Sequence, residues 1–199
     1  MDRGFASSFV SVVPVGDVSQ EICGTVAQEV TGTIGLVCTV SPETLDPRFS
    51  FDSKRKQYSS PALLESLRMR SVERAVRVLG LADVDLFMPV LTFVFGEAIL
   101  GGGAAIVSIR RLWQSFYGLP ENPALTRARA AREAVHELGH TLGLIHCPYY
   151  SCTMRSTRSV EEIDLASGGL CGPCRRQIAI VVGGLLGSDQ EPAHRSSTQ

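Results

Sequence analysis

The chain has 199 residues, the length of one ordinary domain, and can bury a hydrophobic core of its own. Hydrophobic residues make up 44% and charged residues 20%, a balance that excludes a disordered or fibrous chain. The formal net charge of -1 gives no sign of a polyanionic partner, so we expect no nucleic-acid binding.

The N-terminal part alternates between strand and helix patterns. Residues 9–15 are apolar and β-branched, which predicts a strand, and Asp17 with Gln20 fits a capping box that opens a helix. Residues 33–40 predict a second strand, and the polar stretch 41–60 predicts a loop. Ser60 and Pro61 then predict the start of a helix whose apolar stripe runs to Leu79 and ends at Gly80.

The remaining elements suggest a parallel sheet covered by helices. Strands are predicted at 84–87, 90–95 and 104–109, a long helix at 124–142 and a last helix at about 173–186. The polar tail 187–199 is predicted to be disordered. Five strands alternating with helices predict an α/β fold with a mixed, mostly parallel five-stranded sheet.

No segment is typical of a signal peptide or a membrane span. The N-terminal run FASSFVSVVPV contains serines and Pro14, and the apolar stretch 86–109 carries Pro89, Glu97 and three consecutive glycines. We therefore expect a cytoplasmic protein without a membrane partner. We also expect a monomer.

Residues 136–146 read HELGHTLGLIH and contain the first candidate metal site. His136 and His140 are one helical turn apart, about 6 Å along the axis, so both imidazoles face one side and can bind one ion. Glu137 is then placed to take a proton from a zinc-bound water.

His146 fits the same ion only if the helix ends before it. In a continuous helix it would lie about 9 Å beyond His140 and about 240° around the axis. Gly143 allows the helix to stop, because glycine adopts the left-handed conformation without strain. Three histidines leave a fourth position for water, which is typical of a catalytic zinc. Capping or core histidines are the competing interpretation.

Met154 follows the third histidine by eight residues. A lone methionine usually fills a core, but behind three such histidines it fits the buried methionine of a Met-turn.

Four cysteines form a second candidate metal site: Cys147, Cys152, Cys171 and Cys174. Their two close pairs suit a tetrahedral, closed structural zinc. Adjacent side chains in extended chain point to opposite sides, so His146 and Cys147 can serve different ions. Residues 171–174 also read CGPC, which is typical of thioredoxin-like redox centres, so a redox role or a disulfide is a competing interpretation.

HELGHTLGLIHCPYYSCTM followed by CGPC resembles the archaemetzincins, a branch of the metzincin zinc peptidases. The segments LTFVFGEA and IVSIRRL are similar more loosely. The resemblance implies two zinc ions per chain, peptide-bond hydrolysis, and a peptide or protein substrate aligned by an antiparallel edge strand, for which residues 91–96 are the candidate. It also implies one catalytic domain, 1–186: residues 1–143 hold the sheet and the active-site helix, and residues 144–186 the third histidine, the Met-turn, the cysteine site and the last helix.

The leading functional hypothesis is thus a zinc-dependent endopeptidase or aminopeptidase with Glu137 as general base. Two hypotheses of other classes stay open: a zinc-stabilised binding module without activity, whose pocket a segment such as PYYS could block, and a thiol–disulfide oxidoreductase using Cys171 and Cys174.

Overall fold

The structure is a computed structural model that describes residues 8–70, 75–166 and 169–187. Its strands are β1 (Phe9–Val15), β2 (Val37–Val40), β3 (Phe51–Asp52), β4 (Gln57–Ser59), β5 (Ala75–Ala82), β6 (Leu86–Phe87), β7 (Gly96–Ala98) and β8 (Ala104–Ser108). Its α-helices are α1 (Gln20–Ile34), α2 (Ser60–Arg68), α3 (Pro123–Thr141), α4 (Val160–Leu165) and α5 (Gly172–Gly187).

The main sheet has five strands in the order β2-β1-β5-β8-β7. Neighbours pair in parallel except β7, which runs antiparallel to β8 and forms one edge. A small sheet has the order β3-β4-β6. The predicted α/β class with a mixed, mostly parallel five-stranded sheet is confirmed.

Helices cover both faces of the main sheet, so its central strands are apolar on both sides. In β1, Val10 and Val12 face the larger core, which α1, α3 and α5 complete, whereas Val13 and Val15 face a smaller core under α2. This alternation follows from the two-residue period of a strand.

The prediction of a helix from Ser60 to Leu79 is wrong for its second half. The helix ends at Arg68, and Ala75–Ala82 form the central strand β5. These residues pair with β1 and β8 and are covered on both faces of the sheet, and this burial outweighs the approximate helical stripe. Gly80 is not a helix stop but lies within β5, where a Cβ would come within 2.4 Å of the Leu67 side chain. A glycine there lets α2 pack closely on the sheet.

Several predicted boundaries also differ. Residues 33–34 belong to α1, whose N-cap is Ser19 rather than the predicted Asp17, and only the second half of 84–87 is a strand. The predicted loop 41–60 contains β3 and β4, and α4 lies between the two last predicted helices, where no element is predicted. Residues 90–95 are not a strand; Val94 makes one isolated bridge to Leu86. The edge strand is β7, so of the predicted substrate strand 91–96 only Gly96 belongs to it.

The C-terminal part packs back onto α3. The guanidinium of Arg129 donates two hydrogen bonds, of 2.9 and 2.7 Å, to the Asp164 carboxylate of α4. The predicted disordered tail lies outside the described residues from 188 onward. Among the described helices, none is both long and apolar enough to span a membrane.

Candidate metal centres and active-site cleft

Helix α3 carries the HELGH run and is defined at both ends. At its start, the side chain of Asn122 accepts a hydrogen bond from the Leu125 N–H, and Pro123 occupies the first turn. At its end, Gly143 has φ 87°, and the N–H groups of Gly143 and Leu144 donate to the carbonyls of His140 and Gly139 at 2.9 and 3.0 Å. This is a Schellman motif, which turns the chain back toward the helix.

The turn brings three histidines together. The ring of His146 lies 5.4 Å from that of His136 and 5.0 Å from that of His140, between centroids. One nitrogen from each of the three rings can be chosen so that all lie within 4.8 Å of one another. His136 is buried, whereas His146 is exposed on the open side of the cluster.

Backbone carbonyls orient two of the rings. Nδ1 of His136 lies 2.8 Å from the carbonyl oxygen of Thr153, and Nδ1 of His140 lies 2.7 Å from that of Leu144. Since a carbonyl oxygen only accepts, each Nδ1 carries the proton and each Nε2 has a free lone pair. The two Nε2 atoms are 3.1 Å apart and point to the same place. Burial lowers the pKa of His136 to about 4, which keeps it neutral as a metal ligand must be.

Glu137 lies beside this cluster and is 6% exposed. Burial raises its pKa well above the usual value, and the nearby Glu133 and Glu97 carboxylates raise it further. A Cβ added at Gly96 of β7 would come within 2.6 Å of both Cγ and Oε1 of Glu137. The glycine therefore makes room for the carboxylate against the edge strand.

Met154 is fully buried beneath α3. A Cβ added at Gly139 would lie 2.4 Å from the Met154 sulfur, so the glycine inside HELGH lets the methionine approach the helix. The carbonyl of Met154 also accepts a 2.8 Å hydrogen bond from the N–H of Cys147. The methionine segment is thus fixed both to α3 and to the segment that follows His146.

The four cysteines form a second cluster, whose first member directly follows His146. One sulfur from each of Cys147, Cys152, Cys171 and Cys174 lies within 4.8 Å of the others, and none is in a disulfide. Cys171 Sγ is 3.7 Å from Cys147 Sγ, and the backbone N–H of Cys171 donates to Cys152 Sγ at 3.4 Å. Burial raises the pKa of the Cys147 and Cys174 thiols, so a metal must displace protons to bind thiolates there.

An open cleft of about 510 Å³ leads to the histidines. Its walls are segment 88–96 and residues 156–158, and its floor is α3 with Glu133, His136 and Glu137; His146 also lines it. The PYYS segment, 148–151, is not among the lining residues, and its two tyrosines are exposed.

The structure therefore brings together all seven histidines and cysteines singled out in the sequence, with Glu137 and Met154 beside them. Sequence reasoning missed Gly96, Gly139 and Glu133. The glycines act through close contacts with residues distant in sequence, which no local pattern indicates. Glu133 is one helical turn before Glu137, so the helical period could have placed it in the site.

Comparison with known proteins gives one family. The family model described as Peptidase family M54 matches residues 25–179. The archaemetzincin of Methanocaldococcus jannaschii is 38% identical over 169 residues, which cover 85% of this chain and 92% of that protein.

Solved structures agree with the sequence relatives. The crystal structure of archaemetzincin from Methanopyrus kandleri has a TM-score of 0.78 at 33% identity, over 92% of this chain and 98% of that chain. A zinc-dependent peptidase from Methanocorpusculum labreanum has a TM-score of 0.78 at 27% identity, over 85% of this chain and 99% of that chain.

Proposed function

Since the chain belongs to peptidase family M54, the archaemetzincins, and is a zinc-dependent peptidase, we propose that His136, His140 and His146 hold its catalytic zinc and that Glu137 is its general base. The convergence of the three imidazoles at the end of α3, next to a buried carboxylate, is the observation that carries this assignment.

The donor set fits zinc. Three imidazoles, two of them with Nδ1 hydrogen-bonded to a backbone carbonyl oxygen, are the ligands expected at a catalytic site that keeps one position open. When bound there, zinc supplies a Lewis acid that polarises the scissile carbonyl and acidifies a water molecule.

Glu137 moves the proton. Its carboxylate takes a proton from the attacking water and returns it to the leaving amine as the peptide bond breaks. Burial favours this role, because a carboxylate whose pKa is raised holds a proton more readily at neutral pH. Gly96 holds β7 against Glu137, so a peptide paired with that edge would pass the carboxylate.

The four cysteines would hold a second, structural zinc. Four thiolates and no free position suit a closed tetrahedral site. The ion would join the methionine segment to the first turn of α5, and its binding free energy would stabilise the fold. Because Cys171 and Cys174 share one cluster with Cys147 and Cys152, the CGPC run is not a separate dithiol, which weighs against a redox role.

The proposal also covers the domain organisation, the oligomeric state, the cellular location and the alignment of the substrate. We infer one catalytic domain over 1–186, because residues after 143 complete both clusters begun by α3. All seven candidate ligands come from one chain, which is compatible with a monomer. A cysteine cluster that binds metal rather than forming disulfides is typical of reducing compartments, which supports a cytoplasmic location. We also infer that the substrate peptide pairs with the free edge of β7 and runs antiparallel to this strand.

Replacing Glu137 by alanine tests the mechanism. We expect the variant to keep its zinc and to lose peptide hydrolysis by at least about a hundredfold, the usual share of general-base catalysis. The assay is cleavage of short fluorogenic peptides, and Glu121→Ala, an exposed glutamate outside the cleft, is the matched control. A Glu137→Ala variant with full activity would refute the role given to this residue.

A further inference from the structure

Glu133 has no function in the mechanism described above, yet it lies in the same cleft. It is on α3, one turn before Glu137, and is only 5% exposed. Its carboxyl group makes no hydrogen bond or ion pair with any residue in the described parts of the chain, unlike Glu97, which accepts a hydrogen bond from Ser60. Burial of a carboxyl group without a partner is costly, and Glu133 lines the open cleft, where a ligand group can complete it.

The orientation of β7 relative to α3 fixes the side of the scissile bond on which Glu133 lies. Gly96 lies against Glu137, and Gly101, just after β7, donates a 2.9 Å hydrogen bond to the carbonyl of His140. The chain from 96 to 101 therefore runs in the same direction as α3. A peptide antiparallel to β7 then runs opposite to α3, toward the helix N-terminus.

Glu133 is consequently on the C-terminal side of the scissile bond. It lies about 6 Å from Glu137 along the helix axis, a distance that the side chain of one extended residue covers. The free edge of β7 supports the antiparallel arrangement, because β7 ends the sheet order and Gly96 lines the cleft.

We propose, resting on the peptidase function and the edge pairing above, that Glu133 binds the cationic side chain of a lysine or arginine directly after the scissile bond. The ammonium or guanidinium donates hydrogen bonds to the Glu133 carboxylate and neutralises it. The apolar stem of the side chain packs on the wall formed by segment 88–96. The cleft of about 510 Å³ has room for such a side chain.

A free α-amino group is the other cation that a peptide could offer. In the antiparallel arrangement that group lies before the scissile bond, on the opposite side of Glu137 from Glu133. Arg158 also lines the cleft. Because Arg158 is exposed, its positive charge is in contact with solvent.

The test compares two peptides that differ only after the scissile bond, lysine in one and its uncharged analogue norleucine in the other. We expect the zinc-loaded protein to cleave the lysine peptide with a kcat/KM about tenfold or more above the norleucine peptide. Glu133→Gln should bring that ratio close to one, Glu133→Asp should keep its direction, and the exposed Glu121→Gln should leave it unchanged. The ratio is measured on one preparation, so an inactive fraction cancels; mass spectrometry locates the cleavage site.

Three outcomes would overturn the proposal: equal cleavage of both peptides by the unmodified protein, an unchanged ratio in Glu133→Gln, or a Glu133 dependence that N-terminal acetylation of the peptides abolishes. The last would assign Glu133 to the α-amino group instead. If no peptide is hydrolysed, the peptidase assignment fails separately, and binding decides the proposal. Glu137→Gln should then bind a fluorescent lysine peptide about tenfold tighter than the norleucine peptide, and adding Glu133→Gln should remove the difference.

Discussion

Replacing Gly139 by alanine should destabilise the protein although it improves the helix sequence. In an open helix interior this change stabilises by about 1 kcal/mol. Here the new methyl group would lie 2.4 Å from Sδ and 3.0 Å from Cε of Met154, which is fully buried. Such overpacking costs about 1–3 kcal/mol. The net result is a loss of up to about 2 kcal/mol in unfolding free energy.

A second substitution removes the collision. In a Met154→Ala background, the methyl group at 139 meets no sulfur, so Gly139→Ala should become stabilising by about 1 kcal/mol. Gly24→Ala is the matched control: this glycine of α1 is exposed and has open space around its Cβ position, so its replacement should stabilise in either background.

Urea unfolding followed by the fluorescence of Trp113, the single tryptophan, measures these differences. Free zinc must be held constant, because a ligand that binds only the folded state raises apparent stability. If Gly139→Ala has the same effect with and without Met154, the contact between the two residues does not limit the packing, and the account of this glycine is wrong.

Gly96→Ala should retain zinc but lower kcat by about tenfold or more, because the new Cβ would lie 2.6 Å from Glu137 Oε1. Unchanged peptide cleavage would show that the Glu137 carboxylate does not need this space. The pKa of His136, lowered by burial to about 4, means that this imidazole is more protonated in the unfolded chain than in the folded chain between about pH 4 and 6.5. In a His140→Ala background, which removes the histidine metal site, His136 should contribute a loss of up to about 3 kcal/mol in unfolding free energy as the pH falls through this window. The buried carboxyl groups of Glu133 and Glu137, whose pKa values are raised, contribute with the opposite sign. Adding His136→Gln should reduce this pH dependence, and an unchanged slope would assign it to other groups.

The two clusters of candidate metal ligands could be predicted because their chemistry is local. His136 and His140 are one turn apart on a helix with strong propensity, and Gly143 marks the point where it must end before His146. These facts involve residues close in sequence, so periodicity and backbone sterics are enough. The same holds for the two cysteine pairs.

The wrong predictions concern elements whose conformation depends on residues distant in sequence. Residues 75–82 fit an approximate helical stripe, but pairing with β1 and β8 makes them a central strand. Residues 90–95 have strand-like composition, but β7 beyond them pairs with β8. The closeness of Gly96 to Glu137 depends on how that edge meets α3, which sequence spacing does not specify.

Zinc content per chain tests the central claim most directly. Elemental mass spectrometry would be applied to protein purified without added metal, to a His136→Ala/His140→Ala variant and to a Cys171→Ser/Cys174→Ser variant. Separate catalytic and structural sites predict two zinc ions in the unmodified chain and one in each variant. A chain that binds no zinc even after metal is added back, or one in which the histidine variant keeps every ion, would contradict the assignment.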